Sequence, residues 1–483
     1  MAETSGYLRL PSSSEEAKHR RTVSFDADGL FFKARRRHLY TACLSLVVVS
    51  LVSIVASSFW TTRSSSYPVQ EEGIQTPAVQ EPIQQLDKWH SLNYLKGAPT
   101  DSLRDNLRPD VKYISSWISA GWTNDVMTYI NLIYLGFLTK RAPIIAMFTP
   151  SHIGGHVPPV DFGEVFDVPR LRDALQMPVI EWHEVKNRNS GVLDEIGCWD
   201  TWQAVQDREH YPRRSVVPDL LKLDISYTKA PSWIKVIPNY EHDQHSSFSA
   251  LATLAFPETR NENAVEPMES PQHRAKLPTD QHLLCYDYLY YVCSHQPFEF
   301  DYDYSPAWLF VGQHMHWTPR LESLADQYVR SAFGVQEEAE TPPYIGIHIR
   351  HGDFANWCGT VPIEECFAPI SVIARRVEEV KLEILERRGI EVNHVIMTSD
   401  ERNATWWEEV TAQGWFGIDH SKTVELYGAW YPVLIDAVIQ SGGIGFVGTD
   451  RSTMSVLARR RVQSWRDGAV RTLKWGRSDS DDH

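Results

Sequence analysis

Three stretches in the C-terminal third of the sequence end in side chains able to hold an anion. The first is "YIGIHIRHGDF", residues 344 to 354. Ile345, Ile347 and Ile349 alternate with Tyr344, Gly346, His348 and Arg350, the period of two that a strand shows. His348 and Arg350 therefore share one face at the carboxyl end, just before the turn-forming Gly352-Asp353. An edge strand with a solvated polar face has the same pattern. The second stretch is Thr398, Ser399, Asp400 and Glu401, at the end of another apolar run. The third, "GFVGTDRSTMSVLARRR", sets Asp450, Ser452 and Thr453 between a buried strand and a helix start. Unpaired N–H groups and the helix dipole attract anions there. Ordinary N-capping by Ser or Thr, a contribution of about 1 kcal/mol, uses the same residues. With Arg350 on a neighbouring strand, a diphosphate site is the better reading, because guanidinium grips phosphate oxygens bidentately.

The elements that must position these groups alternate between strand and helix. A strand over Tyr113–Ile118, a turn at Gly121, a helix with Val126, Tyr129, Ile130, Ile133, Tyr134 and Phe137 on its apolar face, and a strand over Ile144–Phe148 form one β–α–β unit. Residues 256–280 read as a flexible insertion. A helix opening at Thr318-Pro319 closes this first unit, and "VQEEAETPP" (335–343) is the junction. The second unit alternates strand 344–350, helix 371–388, strand 394–400, helix 404–413, helix 427–440 and strand 444–448, before a last helix. Strands separated by helices predict largely parallel sheets covered on both faces. The expected fold is α/β: two Rossmann-like domains, 89–334 and 344–483, facing a cleft. Ligands in such sheets bind beyond the carboxyl ends of the strands.

Composition agrees with a globular chain held at a membrane. The net charge of -15 supplies no basic footprint and excludes a nucleic-acid binder. Residues 39–60, "LYTACLSLVVVSLVSIVASSFW", run 22 residues without a charge, enough to cross a bilayer. Lys33, Arg35, Arg36 and Arg37 precede it, which predicts a cytosolic tail over 1–38. The expectation is a single-pass type II anchor contacting the lipid bilayer. A Pro/Gln/Glu-rich stem over 61–88 follows, and the rest faces the Golgi or ER lumen. The sequon at Asn403 and the close pairs Cys285/Cys293 and Cys358/Cys366, the natural disulfide pairings, suit that compartment.

These stretches together resemble a family. "HIRHGDF", "TSDE", "GFVGTDRSTMSVLARRRVQSW" and "SAGWTNDVMTYINLIYLGFLTKRAPII" are similar to the ordered motifs of the GDP-fucose protein O-fucosyltransferases and their fungal and plant relatives. The resemblance runs from about residue 112 to 474, with long unmatched stretches between 180 and 310. It implies a two-domain GT-B fold and inverting, metal-independent transfer of fucose from GDP-fucose to a hydroxyl of a protein or glycan, with no cofactor. By motif position Arg350 holds the diphosphate and stabilises leaving GDP, while His348 and Asp353 shape the loop or contact the nucleotide. Ser452 and Thr453 donate to the β-phosphate, Asp450 binds base or ribose, and Asn124 faces the sugar and acceptor.

Three departures stand out. Ala120 replaces a glutamate of some relatives, and His351 replaces a frequent second arginine. Asp125 replaces a glutamine: it is either the base for the acceptor hydroxyl or a carboxylate favoured by the helix dipole. "DYDY" (Asp301, Asp303) contains a D-x-D without a feeding strand and reads as a chance pairing rather than a metal site. His314 and His316 read as surface or interface histidines. The rival expectation is a catalytically silent, membrane-tethered GDP-sugar-binding protein.

Overall fold

The computed structural model describes residues 87–483, apart from 207, 239, 337–338, 478–479 and 482–483. The expected tail, anchor and nearly all of the stem lie outside the described residues. Among the described residues, no helix is long and apolar enough to cross a membrane.

Two parallel sheets dominate the described chain. The first has six strands: β1 (Tyr113–Ser116), β2 (Ala142–Ile145), β3 (Ile180–Glu181), β4 (Asp194–Asp200), β5 (Leu223–Lys229) and β6 (Leu283–Tyr286), in the order β3-β2-β1-β6-β4-β5. The second has five: β7 (Tyr344–Ile349), β8 (His394–Ser399), β9 (Phe416–Gly417), β10 (Gly445–Thr449) and β11 (Ala469–Leu473), in the order β9-β8-β7-β10-β11. All these pairings are parallel. Every residue of β7 is buried, so its alternation does not mark a solvated edge. It is a central strand, hydrogen-bonded on both sides by β8 and β10.

Residues 180–310, where the motif resemblance is weakest, supply β4, β5 and β6 and complete the first sheet. The segment 256–280 is not a flexible insertion. It forms a short helix (Pro257–Glu262) and then lies along β5, where Met268 N–H donates to Tyr227 O (2.8 Å) and Ser270 Oγ donates to the buried Asp224 (2.7 Å). Polar composition misled here because the segment pays out its hydrogen bonds to one sheet edge rather than to water.

The disulfides follow sheet register rather than sequence proximity. Cys198 bonds Cys285, with Cα atoms 4.8 Å apart, because Trp199 on β4 pairs with Tyr286 on β6 and so sets the two cysteines side by side. Cys285 therefore does not pair with Cys293, which is a buried free thiol. Cys358 bonds Cys366 and closes the loop after β7, packed with Phe354 and Trp475.

The helices weld the two sheets together. Helix α1 (Trp122–Thr139) is buried along almost its whole length. Helix α2 (Pro319–Phe333) ends against the second sheet, where Phe333 meets the rings of Tyr344, His394 and Phe416. One face of the second sheet is covered by α3 (Ile370–Arg388) through Ile373, Val377, Val380 and Ile384. On the other face, α4 (Tyr431–Gly442) and α5 (Thr453–Arg466) join an apolar core continuous with the first lobe.

Helix α5 carries most of the inter-lobe chemistry. Arg459 pairs with Asp301 (2.7 Å) and Arg460 with Asp303, so "DYDY" is an ionic clasp to α5. Ser464 Oγ accepts from Trp308 (3.0 Å), and the Trp465 indole donates to Gln313 O. The half-buried His316 stacks on Trp465 at 4.3 Å, and burial lowers its pKa to about 4. Arg461 is 2% exposed and lies over Trp317 at 4.1 Å, with Phe166 and Trp465 nearby. Its Nε and Nη2 find no hydrogen-bond partner, and burial lowers its pKa to about 9.

A buried guanidinium packed among rings sets cation–π attraction against a large desolvation cost. Arg461→Met keeps the volume and removes the charge, so its unfolding free energy should stay within about 1.5 kcal/mol of the parent. Arg461→Ala leaves a cavity and should lose about 2–4 kcal/mol. Urea unfolding of both variants checks this; equal losses would contradict it.

Candidate functional site

The second sheet has the strand order 3-2-1-4-5 when its strands are counted along the chain, that is, β9-β8-β7-β10-β11. The order reverses between β7 and β10, and loops leaving the strands on either side of that point diverge to open faces. Ligands of open α/β sheets bind at this switch point. Arg350 leaves β7 there, and Thr449 to Thr453 leave β10.

Arg350 is held firmly. Its Nη1 meets Asp400 Oδ2 at 2.7 Å and its Nη2 meets Asp353 Oδ1 at 2.6 Å, while its backbone N–H donates to Thr449 Oγ1. Its side chain keeps 29% exposure, as the second strand's Asp400 (26%) and the loop's Asp353 (42%) do. Asp400 also accepts from His351 N–H at 2.8 Å. Gly352 makes this approach possible, since a Cβ there would lie 2.2 Å from Asp400 Oδ2. His351 Nδ1 sits 2.7 Å from Glu401 Oε2 and its ring packs on Phe367. The recess beside Arg350, shared with His351, Phe367 and Trp475, holds about 10 Å³, room for a water.

His348 points inward. It is 6% exposed with Nδ1 2.8 Å from Ser455 Oγ, and burial, reinforced by Arg350, lowers its pKa to about 3. A neutral imidazole there fastens β7 to the first turn of α5 and contacts no open surface. The period of two puts His348 and Arg350 on one face; burial then separates their roles.

The turn before α5 is conformationally unusual. Arg451 has φ +62°, in the left-handed region that non-glycine residues seldom occupy. Ser452 is 5% exposed and is the N-cap of α5, its Oγ facing Ser455 N–H at 3.5 Å. Its side chain serves the helix. Asp450 stays partly exposed, 3.7 Å from Arg451 Nε.

From the other lobe, α1 brings its own N-terminus to the same place. Thr453 Oγ1 donates to Asn124 Oδ1 at 2.7 Å and lies 2.7 Å from Thr123 Oγ1. The sequence-predicted Asn124 and Thr453 are thus in direct contact, 329 residues apart. Two long helices meet with their positive ends together. Such an arrangement favours an anion between them.

Asp125 does not join that constellation. It is 1% exposed, its Oδ1 accepts from Ala120 N–H at 3.1 Å, and burial raises its pKa well above the usual carboxylate range. Its side chain lies in the first turn of α1 and braces the turn after β1, which fits the alternative of a carboxylate at the helix start. Asn403 is exposed and caps the helix Ala404–Ala412, its Oδ1 accepting from Thr405 N–H.

Asp400, named from sequence as a strand-end carboxylate but given no role, aims Arg350, and Thr123 and the left-handed Arg451 join the site. Asp400 had a visible signal, a carboxylate at a strand's carboxyl end; Thr123 had none beyond its neighbour Asn124.

No protein-family model matches the chain, and no curated protein does. Among solved structures, the chain is similar to POFUT1 in complex with GDP-fucose, at 13% identity and a TM-score of 0.47 over 76% of this chain and 98% of that one. It is similar to POFUT1 in its apo form at 12% identity and 0.48, over 76% and 99%. For the fucosyltransferase NodZ from Bradyrhizobium the values are 12% and 0.34, over 72% and 93%. At TM-scores below 0.5 these likenesses assign no activity to this chain.

A second buried acidic group lies at the carboxyl ends of β4 and β6. Asp200 and Asp287 are both fully buried and face one another. Burial first, then the Asp287 charge, pushes Asp200 up to about 9, whereas Lys229 opposes the shift. Asp287 accepts from Thr201 and from Arg213 N–H. The folded state holds a proton on Asp200 that the unfolded chain, with a carboxyl near 3.8, releases. Its contribution is therefore complete below about pH 4 and erodes as pH rises toward 9. Asp200→Asn keeps a neutral donor facing Asp287, so its melting temperature should fall less between about pH 5 and 8 than the parent's. Parallel pH profiles from thermal unfolding would contradict the shared proton.

Proposed function

We propose that this protein is a glycosyltransferase of the GT-B type that moves fucose from GDP-fucose to a hydroxyl of a protein or glycan, with inversion and without a metal. The observation that carries the reading is that Arg350 and the start of α5 leave neighbouring strands on either side of the strand-order switch point, and that α5 begins against the N-terminus of α1. A diphosphate is the ligand such a place fits: the guanidinium fork takes two oxygens and the helix N–H groups take others. The guanosine and fucose parts of the proposal rest on the motif resemblance over residues 344–354, 398–401 and 445–465.

In this reading Arg350 is already aimed by Asp400. The more exposed Asp353 swings aside to admit phosphate, since rotating a surface carboxylate costs little. As the bond to fucose breaks, negative charge grows on the departing diphosphate. Pre-aligned donors stabilise that charge without reorganising, which is usually the largest catalytic contribution. Asn124, held by Thr453, fixes the first lobe's turn at the acceptor side. The two disulfides favour an oxidising compartment, in keeping with a type II anchor at 39–60 and a lumenal enzyme.

A second reading, a silent GDP-sugar-binding protein, draws on the burial of Asp125, which leaves the acceptor side without that base.

The test is nucleotide-sugar turnover by the purified full chain, with Arg350→Ala and Arg350→Lys. GDP-fucose should be consumed with chelator present. Arg350→Ala should lose roughly 3 kcal/mol of barrier stabilisation, on the order of a hundredfold in rate. GDP should no longer raise the melting temperature of Arg350→Ala, and should raise that of Arg350→Lys only weakly, because lysine lacks the planar fork. Arg350→Ala also strips a cation from Asp353 and Asp400, so its own stability should drop by about 1 kcal/mol, the upper range for exposed pairs. GDP binding without turnover of any donor would select the silent binder; unchanged GDP stabilisation in Arg350→Ala would remove the reading.

A further inference from the structure

The first lobe carries a second polar concavity that shares no residue with the Arg350 site. It holds about 360 Å³ and lies where β3 ends, walled by Asp161, Glu181 and His183 together with Glu164, Asp167 and Glu184. Five of these six side chains are carboxylates and Arg172 also lines the concavity, which leaves it a net negative charge.

Three of them form a set. One ligand atom each from Asp161, Glu181 and His183 lies within 4.8 Å of the others. His183 Nδ1 is 3.9 Å from Asp161 Oδ1 and 3.8 Å from Glu181 Oε2. These gaps are too long for hydrogen bonds. They are slightly wider than the spacing of neighbouring ligands around one ion with bonds of about 2.0–2.2 Å. The three groups converge without bonding one another.

A second observation points to a missing charge. Glu181 is only 9% exposed and faces the concavity, yet no lysine or arginine pairs with it among the described residues. Its nearest cationic group is His183, charged only when protonated. Glu181 Oε2 accepts from Gly163 N–H at 3.0 Å, and its side chain also takes the Glu184 N–H in a capping box, so backbone donors orient the carboxylate while no fixed cation balances it. Gly163 is required for that fit, because a Cβ there would lie 2.5 Å from Glu181 Oε1. The nearby guanidinium groups are committed elsewhere: Arg172 to Glu184 at 3.2 Å, and Arg188 to the outer oxygen of Asp161. Buried carboxylates are ordinarily paired or coordinate metals. Outer partners that orient each ligand are the usual surroundings of a metal site.

We propose that Asp161, Glu181 and His183 bind one divalent transition-metal cation of the zinc or manganese type. One imidazole nitrogen and two carboxylate oxygens suit these borderline ions better than calcium or magnesium, which take oxygen ligands alone. The site ties the end of β3 to the segment before Phe162, and stands apart from the metal-free transfer proposed at Arg350.

The other cluster of similar composition, Glu195, Asp224 and His273, serves as the control. There His273 Nδ1 bonds Glu195 directly at 2.7 Å, and Asp224 accepts from Ser270 and two backbone N–H groups. Those ligand atoms are already satisfied.

The experiment strips the full chain of metal with chelator, then measures zinc and manganese binding by calorimetry and metal content after gel filtration. One equivalent of one of these ions should bind and raise the melting temperature. His183→Ala should bind at least about tenfold more weakly, and Gly163→Ala roughly tenfold more weakly through displacement of Glu181. His273→Ala should bind as the parent does. GDP-induced stabilisation of His183→Ala should match the parent, which verifies its fold and keeps this outcome separate from the Arg350 reading. No stoichiometric binding of either ion, or equal binding by parent and His183→Ala, overturns the proposal.

Discussion

Two helix N-termini from different lobes are held against each other by a chain of three side chains, Thr123, Thr453 and Asn124. Like ends of two macrodipoles repel, so this contact persists only because α5 is fastened along its length. Arg459 and Arg460 clasp the Asp301–Asp303 loop, Arg461 lies in an aromatic cage, and Ser464 and Trp465 hydrogen-bond the first lobe. In the first turn His348 holds Ser455 and Thr453 meets Asn124, so the helix start itself is fixed at the seam.

Arg350 illustrates the same division of labour. Asp400 aims it and Gly352 lets Asp400 come close, while Asp353 neutralises it from the exposed side. A cation balanced by two carboxylates is stable without ligand, and one of the two can leave at low cost. Behind it, His348 stays neutral and buried, fixing β7 to α5. His348, two residues from Arg350 on the same strand face, is thus part of the frame.

Much of this was legible in the sequence where local pattern and chemistry coincide. The strand ends at Arg350, Thr398–Glu401 and Asp450–Thr453, and the alternation of strands and helices, all had signals of period and turn chemistry. What escaped depends on distant register. Cys198 meets Cys285 because β4 and β6 are neighbours, which no spacing reveals. Asp125 read equally as a base or as a helix-start carboxylate, and its burial against the Ala120 N–H, which sequence does not reveal, fits the second. "DYDY" was rightly denied a strand, yet its partners on α5 are some 157 residues away. The polar stretch 256–280 shows how a segment can be ordered by hydrogen bonds to a sheet edge without any apolar period.

The central claim is that the seam between Arg350 and the paired helix starts recognises a diphosphate. Calorimetric titration of the full chain with GDP and with GMP, at two salt concentrations, tests it most directly. The account predicts that GDP binds, that GMP binds far more weakly because it lacks the second phosphate, and that salt weakens GDP. Equal affinity for GDP and GMP, or no binding of either, would contradict it.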